Sequence, residues 1–114
     1  MSECLFCAIA AGDIPADIVH SDDDAVAFRD IAPQAPTHIL LIPRVHYANA
    51  RELGATDAAL AGRLMALAGD LAEREGVSAA GYRVVTNTGP GAGQSVDHAH
   101  FHLLGGRELT WPPG

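Results

Sequence analysis

The alternation of apolar and polar residues predicts a hairpin followed by a buried strand near the start of the chain. Residues 17–20 (DIVH) and 25–28 (AVAF) are short β-prone runs on either side of the acidic turn 21–24 (SDDD), which is typical of two antiparallel strands. Residues 38–42 (HILLI) form a β-branched and apolar run that stops at Pro43. Such a run predicts a buried strand.

One long helix follows. Four leucines recur at intervals of three or four residues: Leu60, Leu64, Leu67 and Leu71. This spacing predicts a single apolar stripe that faces the core. We expect Thr56 to be the N-cap of the helix, Asp57 to interact favourably with the helix dipole, and Gly76 to end the helix.

The last third of the chain returns to a β pattern. Residues 82–87 (YRVVTN) predict a strand, residues 88–95 (TGPGAGQS) a glycine-rich loop, and residues 97–104 (DHAHFHLL) a final strand. Strands, one long helix and then strands again predict an α+β fold with a mainly antiparallel sheet. Because the chain has 114 residues and no internal repeat or linker, we expect a single domain over residues 1–114.

Charge and hydropathy exclude several classes of function. Seven basic residues against 14 acidic ones give a formal net charge of -7, which argues against general affinity for nucleic acid or an anionic membrane. No apolar run approaches the ~20 residues that a membrane-spanning helix needs. Residues 1–17 also lack the basic start and long apolar stretch of a signal peptide, so we expect a cytoplasmic protein.

Both cysteines lie in one Cys4-x-x-Cys7 unit. In a reducing compartment this spacing indicates a metal site or a redox pair more than a structural disulfide. The alternative is two small buried residues beside Leu5 and Phe6, since cysteine is often buried. The spacing alone leaves both interpretations open.

The final strand contains three of the chain's six histidines at every second position: His98, His100 and His102. Because side chains alternate along a strand, these rings would share one face at intervals of roughly 6 to 7 Å. The opposite face would carry Ala99, Phe101 and Leu103. The histidines could merely be solvated on an edge strand, but three at period two favour a functional cluster.

Such a row of imidazoles suits phosphoryl or nucleotidyl transfer. A neutral ring can attack phosphorus, and a second ring can bind phosphate oxygens or act on the leaving group. Neighbouring rings cannot all be charged cheaply, so the row favours a division of protonation states. Asn87, the glycines of loop 88–95 and Ser95 fit the same chemistry, because glycine lets backbone N–H groups approach phosphate oxygens. By itself, that loop is also compatible with an ordinary hairpin connection.

The row has the His-φ-His-φ-His-φ-φ form of the histidine triad (HIT) proteins, where φ is an apolar residue, and the chain resembles that family. Further segments resemble the Hint branch of the family: residues 28–38, 42–46, Asn87, 93–95, 105–107 and the ending 111–114 (WPPG). The resemblance therefore covers nearly the whole chain.

The resemblance implies an α+β, HIT-like fold with a five-stranded antiparallel sheet, one long helix and a short N-terminal helix, the sheet continuing across a homodimer. It implies hydrolysis of purine nucleoside 5′-phosphoramidates, AMP or GMP derivatives such as adenosine 5′-monophosphoramidate. In the related nucleotidyltransferases the third histidine is replaced by Gln, so His102 favours water as the final acceptor. The implied alternatives are a dinucleoside polyphosphate or nucleotidyl-sulfate hydrolase, and a nucleotide- or metal-binding regulatory protein with incidental turnover.

The resemblance also implies a catalytic role for four residues. His100 would be the nucleophile that forms a nucleotidyl-imidazole intermediate, and His98 would orient it through its backbone and ring. His102 would contact the phosphate or the leaving group. Ser95 would hydrogen-bond near the leaving atom.

Substrate binding is implied for a partly overlapping set. Asp30 would accept hydrogen bonds from the ribose hydroxyls, and Ile31 would lie against the purine. Asn87 and the backbone of Gly93, Gln94 and Ser95 would hold the phosphate, which His100 and His102 would also contact.

A structural Zn²⁺ is implied as well, with no cofactor for catalysis. Its four ligands would be Cys4, Cys7, His46 and His98, and two thiolates with two imidazoles suit tetrahedral zinc. Asp97 departs from the Hint pattern, which often has an aromatic residue there. An acidic side chain at this position could raise the pKa of a neighbouring imidazole. We interpret His20 as an exposed strand residue and His38 as a structural hydrogen-bonder.

Overall fold

The computed structural model describes residues 4–114 and confirms the α+β class. The helices are α1 (Leu5–Ala11), α2 (Ala50–Thr56) and α3 (Ala58–Arg74), and a short 3₁₀ turn covers Pro90–Ala92. The strands are β1 (Ile18–Ser21), β2 (Ala25–Arg29), β3 (Thr37–Pro43), β4 (Tyr82–Val85) and β5 (Phe101–Gly105). They form one five-stranded antiparallel sheet, as predicted, and its strand order is β1-β2-β3-β5-β4. The extent of the domain, 1–114, stays a prediction, and residues 1–3 lie outside the described part.

The start of the long helix differs from the prediction. Asp57, and not Thr56, is its N-cap, because the Asp57 side chain accepts a hydrogen bond from the Leu60 N–H at 3.0 Å. Thr56 instead ends α2, a helix that the sequence pattern did not reveal. Only Leu53 of its seven residues is buried, so α2 has no apolar periodicity to detect.

The end of the long helix agrees with the prediction. Gly76 has a φ of 75°, a left-handed conformation that glycine adopts without steric cost. The Gly76 N–H donates to the Glu73 carbonyl and the Val77 N–H to the Ala72 carbonyl, each at 3.0 Å. These two bonds form a Schellman motif, which satisfies carbonyls that the end of the helix would otherwise leave unpaired.

The two faces of the sheet are covered differently. On one face, α2 and α3 pack their buried leucines against β3 and β5, and the leucine stripe of α3 belongs to this core. On the other face, Phe6 and Ile9 of α1 pack against Phe28 and Leu40 of the sheet. In the described part of the chain, no helix is long and apolar enough to cross a membrane.

The final strand is shorter than predicted. β5 begins at Phe101 and contains only His102 of the three histidines, while His98 and His100 lie in an irregular segment before it. One reason is that the Ala99 N–H donates to the Tyr47 carbonyl at 2.7 Å, in the loop after β3, and not to a neighbouring strand. The predicted division of faces still holds, because the residues that alternate with the histidines are buried in the core with α3: Ala99, Phe101 and Leu103.

β5 is an internal strand, so the histidines do not lie on an edge. Leu40 of β3 pairs with His102, and Val85 of β4 pairs with the same residue from the other side. His98 and His100 are 0% and 4% exposed. These burials exclude the interpretation of the row as three solvated surface residues.

The end of β5 requires a residue without a side chain. A Cβ at Gly105 would lie 2.9 Å from the Val77 side chain, which is too close for two carbon atoms. We expect Gly105→Ala to lower the free energy of unfolding by about 1–3 kcal/mol through overpacking.

Gly62→Ala is the matched control. Apart from its chain neighbours and the backbone of α3 itself, no heavy atom lies within 4 Å of a Cβ built at Gly62, and alanine in place of glycine stabilises a helix by roughly 0.5–1 kcal/mol. Urea unfolding followed by circular dichroism measures both variants. An unchanged unfolding midpoint for Gly105→Ala would contradict the prediction.

Candidate active site

A cavity of about 370 Å³ lies beside the histidines, between α1 and the sheet. Five of the predicted catalytic and binding residues line it: Asp30, Ile31, Ser95, His100 and His102. Its apolar walls come mainly from Leu5, Phe6, Ile9, Phe28 and Leu40. The family resemblance predicted only one apolar contact in this cavity, Ile31. The apolar wall formed by α1 was not predicted, because nothing in the sequence pattern places α1 against this end of the sheet.

One hydrogen bond fixes the tautomer of the neutral His100 ring. His100 Nδ1 lies 2.8 Å from the His98 carbonyl oxygen. Because a carbonyl only accepts, Nδ1 carries a proton, and in the neutral ring Nε2 then carries the lone pair. The Phe6 ring meets the His100 ring edge-on, with centroids 5.0 Å apart. The backbone of His98 and the side chain of Phe6 thus hold the ring with an unprotonated nitrogen available.

His98 itself lies beneath the cavity wall. Its Nε2 donates to the Pro43 carbonyl at 2.8 Å, so its Nδ1 carries a lone pair. Burial lowers the pKa of His98, and the hydrogen bond to Pro43 opposes this shift. The ring is therefore neutral near pH 7 and offers Nδ1 as a ligand atom on the side away from Pro43.

His102 is connected to a fourth histidine. The Gln34 N–H donates to His38 Nδ1 at 3.0 Å, so the proton of neutral His38 is on Nε2. That nitrogen lies 2.9 Å from His102 Nδ1 and donates to it. By elimination, the remaining proton of His102 is on Nε2. This chain of hydrogen bonds leaves His102 Nε2–H as a donor for a ligand.

His38 was interpreted as a structural hydrogen-bonder, and the structure shows such a bond, but its partner is a residue of the site. The contact arises because β3 and β5 are neighbours in the sheet, with Leu40 opposite His102. The 64 residues that separate His38 from His102 give no local signal of that pairing. The only hint of this contact in the sequence was that further histidines lie outside the row.

Burial keeps the connected rings neutral. It lowers the pKa of His102 to about 4, with a smaller contribution from the neighbouring His100 and His38. Burial also lowers the pKa of His38, although Asp30 Oδ2, 3.5 Å from His38 Nε2, opposes this effect. The His38–Asp30 contact has the geometry of an ion pair, but burial outweighs the carboxylate, so we treat His38 as neutral.

The rings of His100 and His102 lie closer together than an ideal strand would place them. Their centroids are 5.1 Å apart, against the predicted spacing of roughly 6 to 7 Å. His100 precedes the regular part of β5, and the two ring planes are inclined by 63°. Both rings can therefore reach one small group in the cavity.

The remaining predicted binding residues take different positions. Asp30 Oδ1 accepts a hydrogen bond from the Ala32 N–H at 2.8 Å, which fixes the carboxylate at the cavity. Ile31 is fully exposed at the rim, and Ser95 is exposed beside the histidines. Asn87, Gly93 and Gln94 are not among the described residues that line the cavity.

Gln94 braces the glycine-rich loop with its side chain. Its Oε1 accepts from the Gly89 N–H at 2.8 Å, and its Nε2 donates to the carbonyls of Ala48 and Val96 at 2.7 and 3.0 Å. Gly93, with a φ of 87°, ends the 3₁₀ turn within the loop. The backbone of this loop is also engaged, because the Gln94 N–H donates to the Gly89 carbonyl at 3.2 Å and the Gly93 N–H donates to the Pro90 carbonyl at 3.1 Å.

The four predicted metal ligands come together on the other side of His98. His98 Nδ1 lies 3.4 Å from the Sγ atoms of both Cys4 and Cys7 and 3.2 Å from His46 Nδ1. His46 Nδ1 is also 3.3 Å from Cys7 Sγ. All four ligand atoms lie within 4.8 Å of one another.

This arrangement fits a tetrahedral ion. With Zn–N and Zn–S bonds of about 2.0 and 2.3 Å, two ligand nitrogens are separated by roughly 3.3 Å, and nitrogen from sulfur by roughly 3.5 Å. The observed separations are close to these values, and His98 Nδ1 has its lone pair available. The thiols of Cys4 and Cys7 face ring nitrogens, which disfavours the interpretation of the pair as small apolar core residues.

Comparison with known proteins agrees with the fold and the histidine row. The HIT domain profile matches residues 11–109. An uncharacterized HIT-like protein of Synechococcus elongatus is 54% identical over 115 residues, which cover all of both chains. The purine nucleoside phosphoramidase of Escherichia coli K12 is 47% identical over 107 residues, 94% of this chain and 90% of the relative.

A solved structure is also similar over nearly the full length. The crystal structure of a HIT family hydrolase from Legionella pneumophila superposes with a TM-score of 0.95 at 52% identity, covering 98% of this chain and all of that one. Its agreement in fold extends the agreement in sequence to the arrangement of the sheet and helices. The chain belongs to the HIT domain family.

Proposed function

We propose that the protein hydrolyses purine nucleoside 5′-phosphoramidates through a nucleotidyl intermediate on His100. The hydrogen bond from His100 Nδ1 to the His98 carbonyl is the observation that carries this proposal, because it leaves an unprotonated Nε2 beside the cavity. The 47% identity to a purine nucleoside phosphoramidase supports the choice of substrate.

The reaction has two steps. In the first, the lone pair of His100 Nε2 attacks phosphorus and the P–N bond breaks. The leaving nitrogen keeps the electron pair and takes up a proton from solvent, so an amine departs. In the second step, water attacks phosphorus, the bond between phosphorus and Nε2 breaks, and its electron pair returns to the ring. The proton lost by water offsets the one taken up before, and the products are a nucleoside monophosphate and an amine.

His102 and Ser95 act on the groups around phosphorus. Because His102 is neutral with its proton on Nε2, it donates a hydrogen bond to a phosphoryl oxygen or to the leaving atom. Ser95 donates a second hydrogen bond from the rim. His38 is a positioning residue, since its Nε2–H fixes both the orientation and the tautomer of His102.

The rest of the cavity suits a nucleoside. The Asp30 carboxylate accepts hydrogen bonds from the ribose hydroxyls, and Ile31 with the apolar wall packs against the purine. Asn87 and the backbone of residues 93–95 hold the phosphate, with the Ser95 N–H as its backbone donor, since the Gly93 and Gln94 N–H groups already donate within the loop. The Gln94 brace keeps that loop in place before substrate binds, which reduces the ordering cost of binding.

The nucleophile can be identified by mass spectrometry of protein quenched during turnover of adenosine 5′-monophosphoramidate. We expect an AMP-sized addition on the peptide that contains His100. His100→Ala should show no adduct, and its kcat should fall on the order of 10³-fold or more.

His20→Ala is the matched control, because His20 lies on β1 and bonds to Asp22 outside the cavity. It should retain both the adduct and turnover. Near-normal turnover by His100→Ala would contradict the proposed mechanism. Nucleotide binding without turnover by the unmodified protein would favour a regulatory binding protein instead.

The neutrality of His102 predicts an acid-sensitive fold. Its pKa of about 4 in the folded protein lies below the ~6.5 of an unfolded histidine. Between these values the unfolded chain binds more protons, so stability falls as the pH falls from about 6.5 towards 4. We expect His102→Gln to lose less stability across that window, because Gln does not take up a proton.

Urea unfolding at several pH values from 7.5 to 4.5 measures this difference. A residual pH dependence will remain in the variant, since burial also lowers the pKa values of His38 and His98. Equal slopes for His102→Gln and the unmodified protein would contradict a neutral, buried His102.

The metal belongs to the same proposal: a structural Zn²⁺ held by Cys4, Cys7, His46 and His98. When bound, the ion links α1 to the segment that carries the histidines, and catalysis itself needs no cofactor. The protein fixes one metal ligand in advance, because the hydrogen bond from His98 Nε2 to the Pro43 carbonyl selects the tautomer whose Nδ1 can bind the ion.

We expect about one zinc per chain by elemental analysis and a lower thermal midpoint after chelation. An ion present at 100 times its dissociation constant contributes about 2.7 kcal/mol of stability. Cys7→Ser should lose most of the metal, whereas His20→Ala should keep it. Protein that takes up no zinc from a metal-supplemented buffer, with no change in thermal midpoint, would contradict the assignment.

The homodimer stays a prediction, as does the cytoplasmic location. β1 and β4 are the two edges of the sheet, and Tyr82 on β4 is 40% exposed. Arg83 of β4 donates to the Thr110 carbonyl at 2.9 Å and so holds the C-terminal segment that follows β5. The tail that follows leaves Trp111 largely exposed and available to a second copy.

A further inference from the structure

A second, more open cavity adjoins the active site. It has a volume of about 510 Å³ and is lined by Cys4, Leu5, His46, Ser95, Val96 and Asp97. Leu5 and Ser95 line the histidine cavity as well. A substrate whose phosphorus lies between His100 and Ser95 can therefore extend its leaving group into this second space.

The second cavity carries a carboxylate without a counter-ion. Asp97 is exposed, and its carboxylate makes no hydrogen bond or ion pair with any residue between 4 and 114. The chain has no lysine, and none of its arginines lines this cavity. His46 is the one basic side chain in the described lining, and its Nδ1 faces Cys7 and His98.

The Asp97 carboxylate keeps its charge uncompensated because most arginines of the described chain bond to other residues. Arg29 pairs with Glu75, Arg63 with Asp24, and Arg107 donates to the Gln34 carbonyl. The cavity thus combines access to the reacting phosphorus with one uncompensated negative charge. A ligand group that complements it is a cation.

We propose that this second cavity is a leaving-group subsite and that Asp97 determines its specificity, favouring amines that carry a second, protonated amino group. The inference rests on the proposed function, since it concerns the amine released when the P–N bond breaks. The bonds made and broken at phosphorus are those of the two steps above. The second amino group takes no part in them and remains protonated.

The same charge disfavours anionic leaving groups. A phosphate or carboxylate in the cavity would lie near Asp97 and be repelled by it. Because Asp97 is exposed, the gain for a cation is small, about twofold to fivefold in kcat/KM, as for an ion pair at a protein surface. Salt screens such a pair, so the preference should decline as ionic strength rises.

The test uses three adenosine 5′-phosphoramidates with leaving groups of similar length. Their amine parts are 3-aminopropyl, butyl and 2-carboxyethyl, which are cationic, neutral and anionic at pH 7. We measure kcat/KM for each at low and at high salt. For the unmodified protein we expect the cationic substrate to exceed the neutral one by twofold to fivefold at low salt, and the anionic substrate to be the poorest.

Asp97→Asn removes the charge with little change in shape. In this variant we expect the ratio of cationic to neutral substrate to fall to about one, and the relative rate on the anionic substrate to rise. Asp23→Asn is the matched control, because it makes the same change in net charge in the turn between β1 and β2. Its substrate ratios should equal those of the unmodified protein.

The outcomes separate the two proposals. A ratio near one in the unmodified protein, with the butyl substrate turned over normally, would overturn the subsite and leave the proposed function intact. A preference that persists in Asp97→Asn would also overturn the role of Asp97. If none of the three substrates is hydrolysed, the proposed function fails and this inference fails with it.

Discussion

The buried ring and carbonyl of His98 hold together the parts of this site. Its Nε2 donates a hydrogen bond to the Pro43 carbonyl at the end of β3, its Nδ1 faces the two cysteines and His46, and its carbonyl accepts a hydrogen bond from His100 Nδ1–H. These partners lie far apart in the sequence. The tautomer of His100 thus depends on the same residue that completes the cluster of potential metal ligands.

Helix α1 connects that cluster to the cavity beside His100 and His102. Cys4 and Cys7 bracket Phe6, whose ring contacts both His98 and His100 edge-on and also lines the cavity. At the other end of α1, Arg44 donates to the Ala10 carbonyl at 2.7 Å. With seven residues, α1 is too short to be stable alone. The side-chain contacts at both ends of α1 therefore keep its apolar residues in position as a wall of the cavity.

Local patterns predicted the parts of the structure that local forces determine. The leucine spacing of α3, the Gly76 stop and the division of faces around the histidines all agree with the structure, because they follow from helix and strand periodicity. The contact between His38 and His102 could not be predicted in this way, since it depends on β3 lying beside β5. The family resemblance supplied the four cysteine and histidine ligands, whose long separations in sequence carry no geometric signal of their own.

Under the proposed function, this cavity must hold the phosphoryl group of a nucleotide without a free cation among its described lining residues. Arg29 lines the cavity, but its guanidinium donates to both carboxylate oxygens of Glu75, at 2.6 and 3.0 Å. That pairing raises the pKa of Arg29 and lowers that of Glu75, so the charge is already compensated. A bound phosphate would then depend on neutral donors such as His102 Nε2–H, which bind an anionic ground state less strongly than cations do. Because only interactions that strengthen in the transition state accelerate a reaction, neutral donors would favour turnover over tight retention of the nucleotide.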